Sequence, residues 1–359
     1  MDKERVKAFV EKVFGDMAGA MTSGLGFVGV KTGLFRAMAG KGPLTVAQVV
    51  ALTKLHPRYV EEWLKGMACA GYVEHDASAD TYALPEEHAF LLASDGTDHY
   101  MGGLFLMAPP LLRVAPKVAE AFERGGGVRF EEYGADGIEA LDLVNRGQYE
   151  NRLASQWLPS LPDVVRRLDS GGRALDLGCG VGRVALTIAR AFPRARVMGV
   201  DTDRESVRQA NEAASAEGFA DRARFVAQRI EDLDTSEKFD LITACDTVHD
   251  LATPVETLRH VRTHLNPEGV LFVIEPKASD RLEDNRNAMG TMYYGFSVFH
   301  CMTQSLAQGG PGLGTCMGPA RARTLMQEAG FSRFEQLPIR SQSLAFYAVR
   351  PQPTSPPLP

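Results

Sequence analysis

The stretch Ala174-Leu175-Asp176-Leu177-Gly178-Cys179-Gly180-Val181-Gly182-Arg183 decides how the chain is read. A short apolar run, RALDL, ends in glycines at every second position, and VGRVALTIARAF follows with the spacing of an apolar helix face. This is a strand, a tight turn and a helix. Glycine lets the backbone turn sharply there and come close to a ligand. Asp201 closes the next apolar run, VMGVD, about 20 residues further on, where a carboxylate can accept a pair of ribose hydroxyls.

Outward from this turn the texture repeats. RALDLGCG, ARVMGVD, ARFVAQ, FDLITACD and GVLFVIEP read as short buried strands. VGRVALTIARAF, DRESVRQANEAASAEG and PVETLRHVRTHL read as the helices between them. Strands alternating with helices predict an α/β, doubly wound parallel sheet of the Rossmann-like kind. A helix over PARARTLMQEAG and two closing strands, the last SLAFYAVR, complete it, and no internal repeat is present.

The N-terminal part is of another kind. Residues 3–22 predict an amphipathic helix with Val6, Phe9, Val10, Val13, Phe14 and Met17 on one stripe, and a second, glycine-interrupted apolar helix is expected after it. LTVAQVVALT predicts a short helix capped near Thr45, and RYVEEWLKGMACAGYV a second whose Val60, Trp63, Leu64 and Met67 face a core. YVEHDASADTYAL predicts a hairpin, so the module is a mostly helical winged helix. Its second helix carries Arg58 and Lys65 but also Glu61 and Glu62, and that balance argues against phosphate binding. Residues 86–160 predict further helices broken at Pro109-Pro110 and Gly125–Gly127, with many large side chains suited to a core or to a lid.

A glycine turn alone also occurs in nicotinamide enzymes. Here the run is D-L-G-C-G-V-G, and the leading Asp176 would repel a pyrophosphate yet suits a cationic ligand. With Asp201 and FDLITACD, it resembles the class I S-adenosylmethionine methyltransferases over about residues 150–350. The resemblance implies that Asp176, Gly178, Gly180 and Gly182 shape the methionine end, that Asp201 holds the ribose, and that Asp246 lines the site. Many relatives carry an acidic residue for the adenine amine where this chain has Arg229, so Ile230 is expected to serve instead.

Ligands in such sheets lie beyond the carboxyl ends of the strands. The segment Asp246-Thr247-Val248-His249-Asp250 falls there, and His249 is the foremost acid–base candidate. The segments VHD and FHCMTQSLAQGGPGLGT, with the winged helix, resemble a bacterial branch of two-domain methyltransferases. Some members of that branch, similar to phenylpyruvate C-methyltransferases, bind iron through a His-Asp pair and a later His. His249, Asp250 and His300 match in type and order and are expected as catalytic residues and as ligands of iron or another divalent metal. A metal-free polar pocket made by the same three residues is the other expectation.

The resemblance implies residues 1–95 as a winged-helix dimerisation domain, 96–160 as a helical linker or lid, 161–350 as the S-adenosylmethionine-binding domain and 351–359 as a disordered tail. The expected activity is C- or O-methylation of a small molecule, such as a 2-oxo acid or another natural-product intermediate, by a homodimer. The alternative is a non-catalytic winged-helix regulator that senses S-adenosylmethionine. Net charge is −6 over 359 residues, with no lysine–arginine block, so no nucleic-acid partner is expected. The five cysteines lack a CxxC pair, and no uninterrupted apolar run reaches the roughly 20 residues of a membrane span. A cytoplasmic protein without a membrane partner is therefore expected.

Overall fold

In the computed structural model residues 1–233 and 236–351 are described, and all but the first residue of the tail expected over 351–359 lies outside them. The chain divides into two compact units, one of residues 1–112 and 135–148, the other of 113–134 and 149–359. The expected lid region, 96–160, is thus shared between both units.

The second unit holds the sheet. Its strands are β3 (Arg173–Leu177), β4 (Arg196–Asp201), β5 (Ala223–Ala227), β6 (Phe239–Cys245), β7 (Leu265–Pro276), β8 (Arg333–Gln336) and β9 (Leu344–Arg350), after the hairpin pair β1 (Glu74–Asp76) and β2 (Thr81–Ala83) of the first unit. They stand in the order β5-β4-β3-β6-β7-β9-β8. The first five are parallel, and β9 runs antiparallel to both β7 and β8. Both faces are covered, which explains why the strands read as unbroken apolar runs. Along β7, Val270, Phe272 and Ile274 join one core while Leu271 and Val273 join the other. Strand order reverses at β3, between β4 and β6, so the crevice of a doubly wound sheet opens at their carboxyl ends.

The first unit bears out the winged helix. Thr45 and Gln48 form a reciprocal capping box on helix Val46–Thr53. Helix Pro57–Cys69 buries Val60, Trp63, Leu64 and Met67. Its cations are paired on the helix itself, Arg58 with Glu62 and Lys65 with Glu61. The two helices expected at the N-terminus are one, Lys3–Lys31, running through Gly24, Gly26 and Gly29. Tertiary contact overrides the glycine cost: a Cβ at Gly26 would meet the Phe105 ring at 2.6 Å, and one at Gly29 would meet Phe35 at 2.5 Å and Trp63 at 2.6 Å. The stripe Val6, Phe9, Val10, Val13, Phe14 and Met17 is exposed. The most apolar 18-residue window of this helix has mean hydropathy 1.2, so by length and composition the helix is sufficient to cross a membrane, although no single run in it is unbroken.

Glycines of this helix should therefore respond in opposite ways. Gly15→Ala, where a Cβ meets nothing within 4 Å, should raise the thermal midpoint, helix propensity alone contributing about 1 kcal/mol. Gly29→Ala should lower it through the clash with Phe35 and Trp63. Equal shifts in scanning calorimetry would refute the packing role of Gly29.

Candidate active site

The glycine turn is held from two sides. Gly178 and Cys179 donate to the Val200 carbonyl at 2.9 and 3.1 Å, and Gly180 donates to the Asp201 carboxylate at 2.8 Å. Gly178, Gly180 and Gly182 have φ of 67°, 49° and 85°, a region costly for any residue with a Cβ. A Cβ at Gly180 would meet nothing within 4 Å, so the turn borders open space. At Gly178 it would strike the Thr247 side chain at 2.6 Å, which brings the turn against the loop after β6.

Asp201 also accepts from the Asp203 N–H at 2.9 Å. Burial raises its pKa while the backbone donors pull it down. Asp176 has a different job from the one its sequence position suggests. It is only 2 % exposed and accepts the Thr243 hydroxyl at 2.6 Å. Burial pushes its carboxyl up to about 7, against the hydrogen bonds from Thr243 and the Ala185 N–H. The side chain thus ties β3 to β6 and to the start of helix Arg183–Ala191. Ile230 is buried in the core after β5, and the Arg229 guanidinium turns to Glu231 and to the Thr253 hydroxyl. These residues, expected to bind the cofactor, lie at or after the carboxyl ends of β3, β4 and β5. Open space at Gly180 and the fixed Asp201 carboxylate fit a nucleoside with a compact polar tail.

Asp246 opens the loop after β6 in a left-handed conformation, φ 56°, with its N–H donating to the Ile274 carbonyl at 2.7 Å. Such strain in a non-glycine residue collects at functional sites. His249 follows, 1 % exposed. Its Nδ1 is bonded to Glu275 Oε2, and Glu275 Oε1 accepts the Val248 N–H at 2.9 Å. This leaves His249 Nε2 to face Asp250 Oδ1 at 3.3 Å and Asp246 Oδ1 at 3.9 Å. Burial by itself would lower the imidazole's pKa, but the Glu275 and Asp250 carboxylates outweigh it and hold it well above its ordinary value. The two carboxylates thus favour the protonated ring over the neutral one.

Asp250 and His300 complete the expected trio. Asp250 Oδ1 is buried with no hydrogen bond, and burial raises that carboxyl's pKa. His300 is 6 % exposed, its Nε2 likewise lacks a hydrogen bond, and burial lowers its pKa. Its ring lies 4.8 Å from that of Tyr133, whose hydroxyl donates to the Phe299 carbonyl at 2.5 Å. His300 and Cys301 sit on a π-turn, Ser297–Cys301, a distortion that recurs at functional sites. Orphaned buried polar atoms on Asp250 and His300, beside an imidazole nitrogen fixed by a second carboxylate, fit a divalent cation. His249, Asp250 and Cys301 each bring a donor atom within 4.8 Å of the others, and among the described residues no other trio of His, Cys, Asp or Glu does so. The tightest set thus contains Cys301 where the sequence pointed to His300.

Sequence reading passed over Glu275, Cys301 and Thr315, whose hydroxyl donates to Cys301 Sγ at 3.1 Å. The signal for Glu275 was present: an acid ending the strand beside the His249 loop.

Residues 168–330 match the family model described as a methyltransferase domain, and residues 20–94 the one described as an Rv2258c-like winged HTH domain. What this chain shares with known families is therefore a methyltransferase domain preceded by a winged helix. Among solved structures, mitomycin 7-O-methyltransferase superposes with a TM-score of 0.67 at 18% identity, over 97% of this chain and 99% of that one. Human N-acetylserotonin methyltransferase in complex with S-adenosylmethionine gives 0.65 at 21%, over 95% and 97%. A tRNA1(Val) (adenine(37)-N6)-methyltransferase of Porphyromonas gingivalis is 33% identical over 134 residues, which are 31% of this chain and 52% of that protein. The chain spans about half the length of that curated relative.

Removing the Glu275 carboxylate should unsettle this site. Glu275→Ala leaves the Val248 N–H and a buried imidazolium without their acceptor, a loss of about 3–5 kcal/mol. A raised histidine pKa stabilises the fold fully below the unfolded value of about 6.5 and stops doing so as pH rises through the folded value. Urea unfolding at pH 6 should show the loss in full; less than about 1 kcal/mol would class the pair with exposed ion pairs.

Proposed function

We propose that this protein transfers the methyl group of S-adenosylmethionine to a small-molecule acceptor held at His249. The observation that carries the reading is continuity: the Asp201–Gly180 turn abuts Thr247 through Gly178, two residues before His249. When bound, S-adenosylmethionine supplies a sulfonium-activated methyl group that passes to the acceptor as the carbon–sulfur bond breaks. Asp201 is placed to accept ribose hydroxyls, and Ile230 and Asp246 to border the nucleoside and methionine ends. Placement of the two reactants in one crevice can supply roughly 7–11 kcal/mol.

On the acceptor side, Glu275 orients His249 so that Nε2 is the atom offered. A positive charge there stabilises negative charge developing on an acceptor oxygen, as in an enolised 2-oxo acid or a phenolate. A divalent ion held by His249 and Asp250, with His300 nearby as the sequence led one to expect, would polarise that oxygen in the same sense. Superposition on two enzymes named for small-molecule substrates supports an acceptor of this size. The reading extends to a homodimer formed through the exposed stripe of helix Lys3–Lys31. It places the protein in the cytoplasm, where five free thiols would stay reduced. The winged-helix match favours a regulator as second reading; the paired charges of helix Pro57–Cys69 leave it little to hold a phosphate backbone.

Asp201→Ala should weaken S-adenosylmethionine binding at least tenfold by titration calorimetry; unchanged affinity would refute its ribose role. His249→Ala should leave that affinity intact and lower turnover by about 10²–10³-fold. Equal turnover would remove His249 from the reaction.

A further inference from the structure

We infer that Cys301 is a protein ligand of a thiophilic divalent cation, bound together with His249 and Asp250 at the acceptor site. The inference rests on the reading of this pocket as the acceptor site, but it is tested without turnover. His249 Nε2, Asp250 and Cys301 Sγ converge within 4.8 Å from two separate segments, the turn after β6 and the π-turn Ser297–Cys301. Donor atoms around one tetrahedral ion lie roughly 3.3–3.8 Å apart, given bonds of about 2.0–2.3 Å. The 3.3 Å between His249 Nε2 and Asp250 Oδ1 already falls there.

The surroundings are those of a ligand set. Glu275 takes the far nitrogen of His249, which selects Nε2 for the ion. Thr315 donates its hydroxyl to Cys301 Sγ, an outer hydrogen bond that would support a thiolate. The glycine-rich loop places Thr315: Gly314 donates to the His249 carbonyl at 3.2 Å, and its φ of 74° would be strained for any residue with a Cβ. Ser305 pins the same loop, donating to the Leu251 carbonyl at 3.0 Å and accepting the Gly312 N–H at 3.2 Å. The His249–Asp250 turn, the loop and Cys301 thus form one built pocket. Two buried acceptor atoms with no hydrogen bond, Asp250 Oδ1 and His300 Nε2, belong to it independently of the thiol.

Imidazole, carboxylate and thiolate together favour zinc, ferrous or cobaltous ions over magnesium or calcium, which prefer oxygen donors. As the ion binds, the Cys301 thiol proton and the proton on His249 Nε2 both leave to solvent, and no electron is transferred. Three protein ligands leave a position open for an acceptor oxygen.

The full chain, stripped with chelator and loaded with cobalt(II), tests this. Parent protein should take up about one cobalt and show a near-ultraviolet thiolate-to-cobalt charge-transfer band. Cys301→Ser should lose that band, whereas Cys69→Ser, which alters an exposed thiol of the other unit, should keep it. Thr315→Val should keep the band and weaken zinc binding about 10–100-fold, the usual cost of an outer partner. S-adenosylmethionine affinity, measured on each variant, reports that the fold is intact. A parent that takes up no cobalt, or a band that survives Cys301→Ser, overturns the inference. Either result with normal S-adenosylmethionine binding leaves the methyl-transfer reading standing, and absent binding in the parent sinks that reading alone.

Discussion

A single buried carboxylate organises the reaction end of this molecule. Glu275 ends a central strand and is 3 % exposed, and both its oxygens accept from the turn after the neighbouring strand. A carboxylate so deep persists only when it is paired and hydrogen bonded. Partnering it fixes the Val248 backbone, the ring orientation of His249 and the atom that His249 turns toward Asp250. The left-handed Asp246 and the glycine-rich loop then follow, one to enter this turn and the other to lie over it.

The cofactor edge obeys a similar logic with a different carboxylate. Asp201 clamps the Gly180 N–H, and Asp176, buried behind the turn, braces β3 against Thr243 and the following helix. The two acids stand at the carboxyl ends of adjacent strands and look alike in sequence. Burial separates them: Asp176 is sealed in the sheet, while Asp201 stays part-exposed at the crevice. Thr247, pressed on Gly178, couples this turn to the His249 turn.

Much of this was legible beforehand. Alternating apolar strands and helices, the glycine turn and Asp201 rest on local chemistry, and local chemistry survives in a linear string. Helix Lys3–Lys31 did not, because its glycines signal a break unless Phe105, Phe35 and Trp63 are known to press on them. The burial of Asp176 was hidden for the same reason: a charge next to a glycine turn gives no sign in the sequence of the Thr243 hydroxyl it meets.

By itself the sequence determined the doubly wound sheet, the winged helix and the place of the ligand crevice, since periodicity, capping and glycine placement act between near neighbours. Only the tertiary structure decided which donors meet. His249 and Cys301 are brought together by a π-turn and a loop that no pattern announces. Glu275 reaches His249 across a strand pair 26 residues apart. Side-chain convergence depends on packing between distant segments, and that information is not carried by any one of them.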